Sequence, residues 1–199
     1  MSDQADSSEV RHEDWGGRDL RQQTFTRVTF VEVDLSEVDT EGSVFEECSF
    51  RGVRFNVSRH TSTAFLNCTF TRCVFFDAGF VGCKLVGSRF VDCGFDLLKV
   101  EGGDWSFVVL AGANLGSATF TDVRMREADL TGVRAVNGSL LGLDLSGAAL
   151  GKADLSGCDL RGSDLSSLDP GSVVLRGAVI TYEQAVGLAL ALGLDVRPE

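Results

Sequence analysis

The sequence predicts an all-β solenoid that climbs by short inward-outward-inward steps and ends in one short C-terminal α-helix. Three observations predict it. Of the 33 positions from Leu20 to Ile180 that are multiples of five, 29 hold a bulky apolar residue; only Thr40, His60, Ala135 and Pro170 depart. A small or slim residue precedes many of these centres by two places, as at Val28, Ser43, Cys48, Ala78, Ala128 and Cys158. Twelve glycines follow a centre by two places, from Gly42 and Gly52 to Gly162 and Gly177. A fixed short period marks a repeat architecture and outranks local propensity.

Period five excludes the ordinary elements. On a helix turning about 100° per residue, each repeat would rotate the bulky residue by about 140°, so no apolar face would form. On a continuous strand, alternation with period two would send successive centres to opposite faces. The register survives only if the backbone turns a corner in every repeat. The centre and the residue two before it then point inward, with an outward residue between them. The two residues after the centre make the bend, and the second needs the positive φ that glycine adopts without a Cβ penalty.

Runs such as Ala153-Asp154-Leu155-Ser156-Gly157 and Cys158-Asp159-Leu160-Arg161-Gly162 resemble the A(D/N)LxG motif of the pentapeptide-repeat family. That resemblance implies a right-handed quadrilateral β-helix with four pentapeptides per coil, so residues 20 apart stack. With strands about 4.8 Å apart, Leu20 to Ile180 would make about eight coils over about 40 Å.

The elements follow in order. Residues 1–14 are polar and charged with almost nothing to bury, which predicts a disordered tail. Trp15 is placed to plug the first coil. Residues 15–180 form the β-helix. Its centres are mostly phenylalanine from Phe25 to Phe95 and mostly leucine from Leu110 to Leu175, with an irregularity expected at Gly102-Gly103 beside Trp105. Phe76 and Phe107 fall on outward positions. Residues 181–199 form the terminal helix and a dimerisation segment. Thr181 and Gln184 have the spacing of a capping box. Ala185, Val186, Leu188, Ala189, Leu190, Ala191 and Leu192 are apolar almost all round, so one face can cover the last coil and a second chain can cover the rest. The expected dimer interface is Val186, Leu188, Ala189 and Leu192.

Cys48, Cys68, Cys73, Cys83, Cys93 and Cys158 each stand two places before a centre, where a free thiol serves as a slim core side chain. The pairs Cys48/Cys68 and Cys73/Cys93 would stack on neighbouring coils. Their Cα spacing allows a disulfide, but parallel side-chain vectors do not favour one. No CxxC motif or Cys–His cluster, phosphate loop or nucleophile elbow is present in the sequence. His60 takes a centre position and is expected to pair with Thr40 inside the core. The chain is therefore read as a non-enzyme with no metal and no cofactor. No signal peptide or membrane span is apparent, and a cytoplasmic location is expected.

The segment Ser58-Arg59-His60-Thr61 followed by Ala64 to Phe70, and the ending Gly177-Ala178-Val179 followed by Glu183 to Val186, resemble the MfpA/Qnr-like, gyrase-interacting branch of the family. That branch implies a head-to-head dimer through the C-terminal segment, and a DNA-mimicking rod that binds DNA gyrase, with topoisomerase IV as a second candidate. Such binding would modulate the enzyme or protect it from topoisomerase-poisoning antibiotics. Charge bears on this. The net charge is −11, of which residues 101–199 carry −6. Asp129, Asp144, Asp154, Asp159 and Asp164 stand just before a centre and are the candidate phosphate mimics, with Asp144 and Asp164 expected on one face. B-DNA carries about one charge per 1.7 Å, roughly twice the density of this rod, so mimicry needs charge concentrated on one side or at the dimer centre. Aspartate before the centre is also a structural choice, through turn hydrogen bonding. No direct nucleic-acid binding is expected. The alternative is an adaptor solenoid that binds another protein with a side face.

Overall fold

A computed structural model of the chain describes residues 8–197. Strand pairs and isolated bridges join residues 20 apart, from Glu9↔Thr29 at the start to Asp159↔Val179 at the end. One coil is thus 20 residues, divided into four sides of five. Side one carries the centres Val10, Phe30 and Phe50, side two Trp15, Leu35 and Phe55, side three Leu20, Thr40 and His60, and side four Phe25, Phe45 and Phe65, each continuing upward in steps of 20. Glu9–Arg11, Thr29–Val31, Ser49–Arg51, Thr69–Thr71 and Arg89–Val91 form a five-stranded parallel sheet on side one. A second five-stranded sheet lies on side three, between Arg59–Thr61 and Ser139–Leu141, and Thr24–Thr26, Val44–Glu46 and Ala64–Leu66 form a three-stranded sheet on side four. Among the described residues no strand exceeds three residues, because a corner follows each centre.

The coil begins earlier than the polar composition suggests. Glu9–Arg11 pairs with Thr29–Val31 and Asp14 bridges Asp34, so residues 9–14 belong to the solenoid and not to a tail. A strand edge satisfies the backbone of a polar segment as well as that of an apolar one, which composition does not register. Residues 1–7 of the expected tail lie outside the described residues. Trp15 packs at the first coil, with its ring 6.2 Å from Phe25 and 5.7 Å from Phe30.

The N-terminal core is built of phenylalanine ladders. Phe30, Phe50, Phe70 and Phe90 stack at 4.9, 4.8 and 4.6 Å with nearly parallel ring planes. The ring spacing equals the strand spacing, so each added coil places a new ring in van der Waals contact. Trp105 is fully buried and lies parallel to Phe90 at 6.2 Å, where the phenylalanine regime ends. Its indole Nε1 has no hydrogen-bond partner among the described residues. Beside it, Gly103 has φ +92, and a Cβ there would overlap the backbone of Cys83. The Gly102-Gly103 irregularity is therefore a close backbone approach that only glycine permits. Beyond it the core is lined mostly by leucine, with Phe120 and Met125 among the centres.

Inward residues two before a centre have a polar task as well as a packing one. The Ser43 hydroxyl donates to the Leu20 carbonyl and accepts from the Gln23 amide, bridging a turn of the coil below. Ser88 and Ser163 repeat this arrangement at Phe65/Cys68 and Leu140/Leu143. The thiols of Cys48, Cys68, Cys73 and Cys83 donate weakly to the carbonyls of Phe25, Phe45, Phe50 and His60. A slim side chain with one donor satisfies a buried acceptor that the strand ladder leaves out.

Positive φ recurs two places after the centres, as the turn geometry predicts. Glycine fills many of these corners and polar residues most of the others. Val57, Leu97 and Phe107 are bulky and apolar there, with φ of 58, 58 and 60°.

The terminal helix spans Tyr182–Ala191, and Thr181 and Gln184 form the capping box reciprocally. The Gln184 amide also donates to the carbonyls of Leu160 and Ser163, each at 2.7 Å, so this residue closes backbone acceptors at the top of the rod. Leu188 packs against the core, but no helix residue is fully buried.

Candidate protein-interaction surface

The five expected acids do not share a face. Asp129 lies on side one, Asp154 on side two, Asp159 on side three, and Asp144 and Asp164 on side four. Only the last two stack, as expected. Each of the five carboxylates accepts the backbone N–H of the residue two places on: Thr131, Ser146, Ser156, Arg161 and Ser166 in chain order. The aspartate before a centre thus braces the turn that follows it.

Neighbouring cations reduce the field further. Arg126 reaches the Asp144 carboxylate at 2.5 Å, and Arg161 grips Asp159 with two nitrogens. Hydrogen bonds from Ser146, Ser156, Arg161 and Ser166 hold Asp144, Asp154, Asp159 and Asp164 below the ordinary carboxylate range. All four are therefore ionised at neutral pH. Among the described residues, Asp129, Asp154 and Asp164 have no ion-pair partner.

Acidity does concentrate at the corner of sides three and four. Asp104, Asp144 and Asp164 fall in one column, in which Arg124 stands between Asp104 and Asp144 and Lys84 lies one coil below Asp104, and Asp122 stands at the adjoining corner. Asp104, Asp122 and Asp144 line an open groove with Gly82, Gly103 and Gly142 in its wall and Lys84 and Arg124 beside it. Arg124 pairs with Asp104 at 3.0 Å. Sequence reasoning missed Asp104 and Asp122. Asp104 is legible from the 20-residue column through Asp144; Asp122 sits two places after a centre, at a corner and not on the outward position just before a centre.

Two apolar surfaces are also exposed. On and beside side two, Val57, Val74, Phe76 and Leu97 are 36, 42, 45 and 47% exposed. Val57 and Leu97 carry the additional strain of a bulky residue at positive φ. At the C-terminal end, the expected interface residues divide. Val186, Leu188 and Ala189 are half-covered by their own chain, and Leu192, just past the helix, is 60% exposed. The larger free surface there comes from Val174, Val179, Tyr182, Leu190, Leu194 and Val196, which the sequence reading did not select. The helix lies on the last coil through the side that carries Gln184 and Leu188, leaving Leu190 and the residues after it outward.

Among the described residues there is no group of three or more metal-ligating side chains and no helix long and apolar enough to cross a membrane.

A sequence profile described as pentapeptide repeats matches residues 106–134 and 139–169, and one described as the SV2A/B/C luminal domain matches residues 19–95. The chain is 38% identical over 105 residues to the pentapeptide repeat protein MfpA of Mycobacterium tuberculosis, covering 53% of this chain and 52% of that one. The match therefore spans about half the length of that relative. In structure the chain is similar to HetL, a pentapeptide repeat protein involved in heterocyst differentiation regulation from the cyanobacterium Nostoc sp. strain PCC 7120. The TM-score is 0.64 at 20% identity, covering 88% of this chain and 90% of that one. A looser likeness, with a TM-score of 0.46 at 21% identity, links 96% of this chain to 98% of QnrB1, a plasmid-mediated fluoroquinolone resistance protein.

Proposed function

We propose that this chain, which is a pentapeptide-repeat protein similar to MfpA, binds bacterial DNA gyrase or a related type II topoisomerase. In doing so it modulates the enzyme or protects it from topoisomerase-poisoning antibiotics. The observation that carries this reading is the sequence likeness to MfpA over 105 residues, since gyrase as the partner comes from the resemblance to that branch of the family. The acid column of Asp104, Asp144 and Asp164, with Asp122 beside it, supports a side-on contact. Asp144 and Asp164 stand on neighbouring coils about 4.8 Å apart, while Asp104 lies two coils below Asp144 with Arg124 between them, so the contact would centre on the Asp144–Asp164 pair. Five aspartates spread over four sides would not present such a surface, so the contact is assigned to side four and its corner with side three. Pairing of two rods through the exposed C-terminal residues would place two such columns on one particle, doubling the charge available to a two-fold symmetric enzyme.

A supercoiling titration with purified gyrase, with and without a quinolone, tests the reading. Inhibition of supercoiling, or rescue from the quinolone, is expected at low salt. Binding to neither gyrase nor topoisomerase IV at low salt would overturn it.

A second reading, an adaptor that binds a different protein, is favoured by one observation: the exposed face of Val57, Val74, Phe76 and Leu97. Exposed apolar side chains held at strained corners contribute little to the fold that a polar corner residue would not. Substituting Phe76→Ser separates the two readings, because it should leave an acidic-column contact intact and weaken a contact through side two.

A further inference from the structure

We infer that Cys73 and Cys93 form an oxidation site at which a hydroperoxide joins the two thiols into a disulfide between neighbouring coils. Thr69–Thr71 and Arg89–Val91 pair in register, and Val74 bridges Gly94, with the Gly94 amide donating to the Cys73 carbonyl at 3.0 Å. Cys73 and Cys93 are thus stacked directly, with Cα atoms about 4.8 Å apart, inside the span of about 4.4–6.8 Å that a disulfide accepts. The two thiols point inward side by side, each donating to a main-chain carbonyl of the coil below, Cys73 to Phe50 and Cys93 to Phe70, so closing the bond requires a side chain to rotate from this parallel arrangement toward its neighbour.

Access singles out this pair. Of the six free cysteines, five are buried and Cys93 is only partly covered. The residue that follows it, Gly94, has no side chain to shield it. Cys48 and Cys68 stack in the same way but are both buried, so they serve as an internal control.

The chemistry balances with a hydroperoxide as the only co-reactant. The Cys93 thiolate attacks one oxygen of hydrogen peroxide, the O–O bond breaks, and the departing hydroxide takes up the proton that Cys93 gave up on ionising and leaves as water, giving a Cys93 sulfenic acid. The Cys73 sulfur then displaces the sulfenic hydroxyl, which takes up the Cys73 proton and departs as a second water. Two electrons pass from the two sulfurs to one peroxide.

The test treats the native full chain with hydrogen peroxide, quenches it, denatures it, and counts and maps free thiols by alkylation and mass spectrometry. The free-thiol count should fall from six to four, with a Cys73–Cys93 cross-linked peptide and Cys48 and Cys68 still alkylated. Cys93→Ser and Cys73→Ser should each abolish the cross-link. Both variants should fold, since Ser43, Ser88 and Ser163 already occupy equivalent positions. Six thiols remaining, a Cys93 sulfinic acid without a cross-link, or equal loss of Cys48 and Cys68 would each overturn the inference.

Discussion

Asp144 and Asp164, one coil apart on side four, share the Ser146 hydroxyl, which lies 2.6 Å from one carboxylate and 3.0 Å from the other. A hydroxyl has one proton to give, so it serves one carboxylate at a time and leaves the pair short of donors. Arg126 offsets Asp144, whereas Asp164 has no ion-pair partner among the described residues. The strongest uncompensated negative charge on the column is therefore at Asp164.

Replacing Asp144 and Asp164 by asparagine retains an amide oxygen for the Ser146 and Ser166 N–H groups and removes both charges. The β spectrum and melting temperature should change little. Gyrase affinity should fall and its dependence on salt should become shallower, as fewer charged contacts remain to be screened. Binding measured across a salt series for the wild type and the double variant checks this. Identical salt slopes would make the pair ordinary turn braces.

His60 should make stability depend on pH. Its Nδ1 lies 2.6 Å from the Thr40 hydroxyl and its Nε2 2.9 Å from the Ser58 hydroxyl, and burial pushes its pKa down from 6.5 to about 3. The unfolded chain then binds a proton that the native state refuses, so stability is full above about pH 6.5 and declines as pH falls toward about 3. At pH 5 the loss relative to pH 7 should be about 2 kcal/mol, at about 1.36 kcal/mol per pH unit. Urea denaturation at the two pH values tests it, with His60→Phe as the comparison. That variant extends the stack onto Phe80 and should lose most of the difference.

Two glycine substitutions should differ sharply. At Gly112, with φ +71 and open space around it, alanine meets only the left-handed penalty of about 1–2 kcal/mol. At Gly103 a Cβ would overlap the Cys83 backbone, so Gly103→Ala should cost clearly more, or prevent folding. Thermal melts of both variants decide it, and equal melting temperatures would mean that the neighbouring coil yields freely.

If the C-terminal end pairs two rods, a charge placed on its exposed apolar surface should separate them. Leu190→Lys combined with Leu192→Lys touches residues that are 56 and 60% exposed in the single chain, so the fold should hold. Sedimentation should show an elongated dimer for the wild type and a monomer for the variant. A wild-type monomer at micromolar concentration would rule out the dimer.

The paired thiols, the buried His60–Thr40 contact and the capping box at Thr181 were all readable from position within the repeat, because each is a relation between residues at fixed spacing. Other features were not. Arg126 lies outward, after a centre, and nothing in its own pentapeptide says that it reaches Asp144 in the next coil. Asp122 was overlooked because it occupies a corner, where turn geometry rather than the inward-outward rule sets direction. The strand at Glu9–Arg11 was hidden by its polarity, since backbone pairing is indifferent to side chains.

By itself, the sequence determined the solenoid, its core and its corners, because a five-residue period admits only a backbone that turns once per repeat. Where charge survives and where apolar surface remains was decided only by the tertiary structure. Stacking at 20-residue intervals brings long arginine side chains within reach of some aspartates and not others, and the terminal helix covers Leu188 while leaving Leu190 and Leu192 outward. Both outcomes depend on side-chain reach across coils, which is a property of the assembled rod and not of any one repeat.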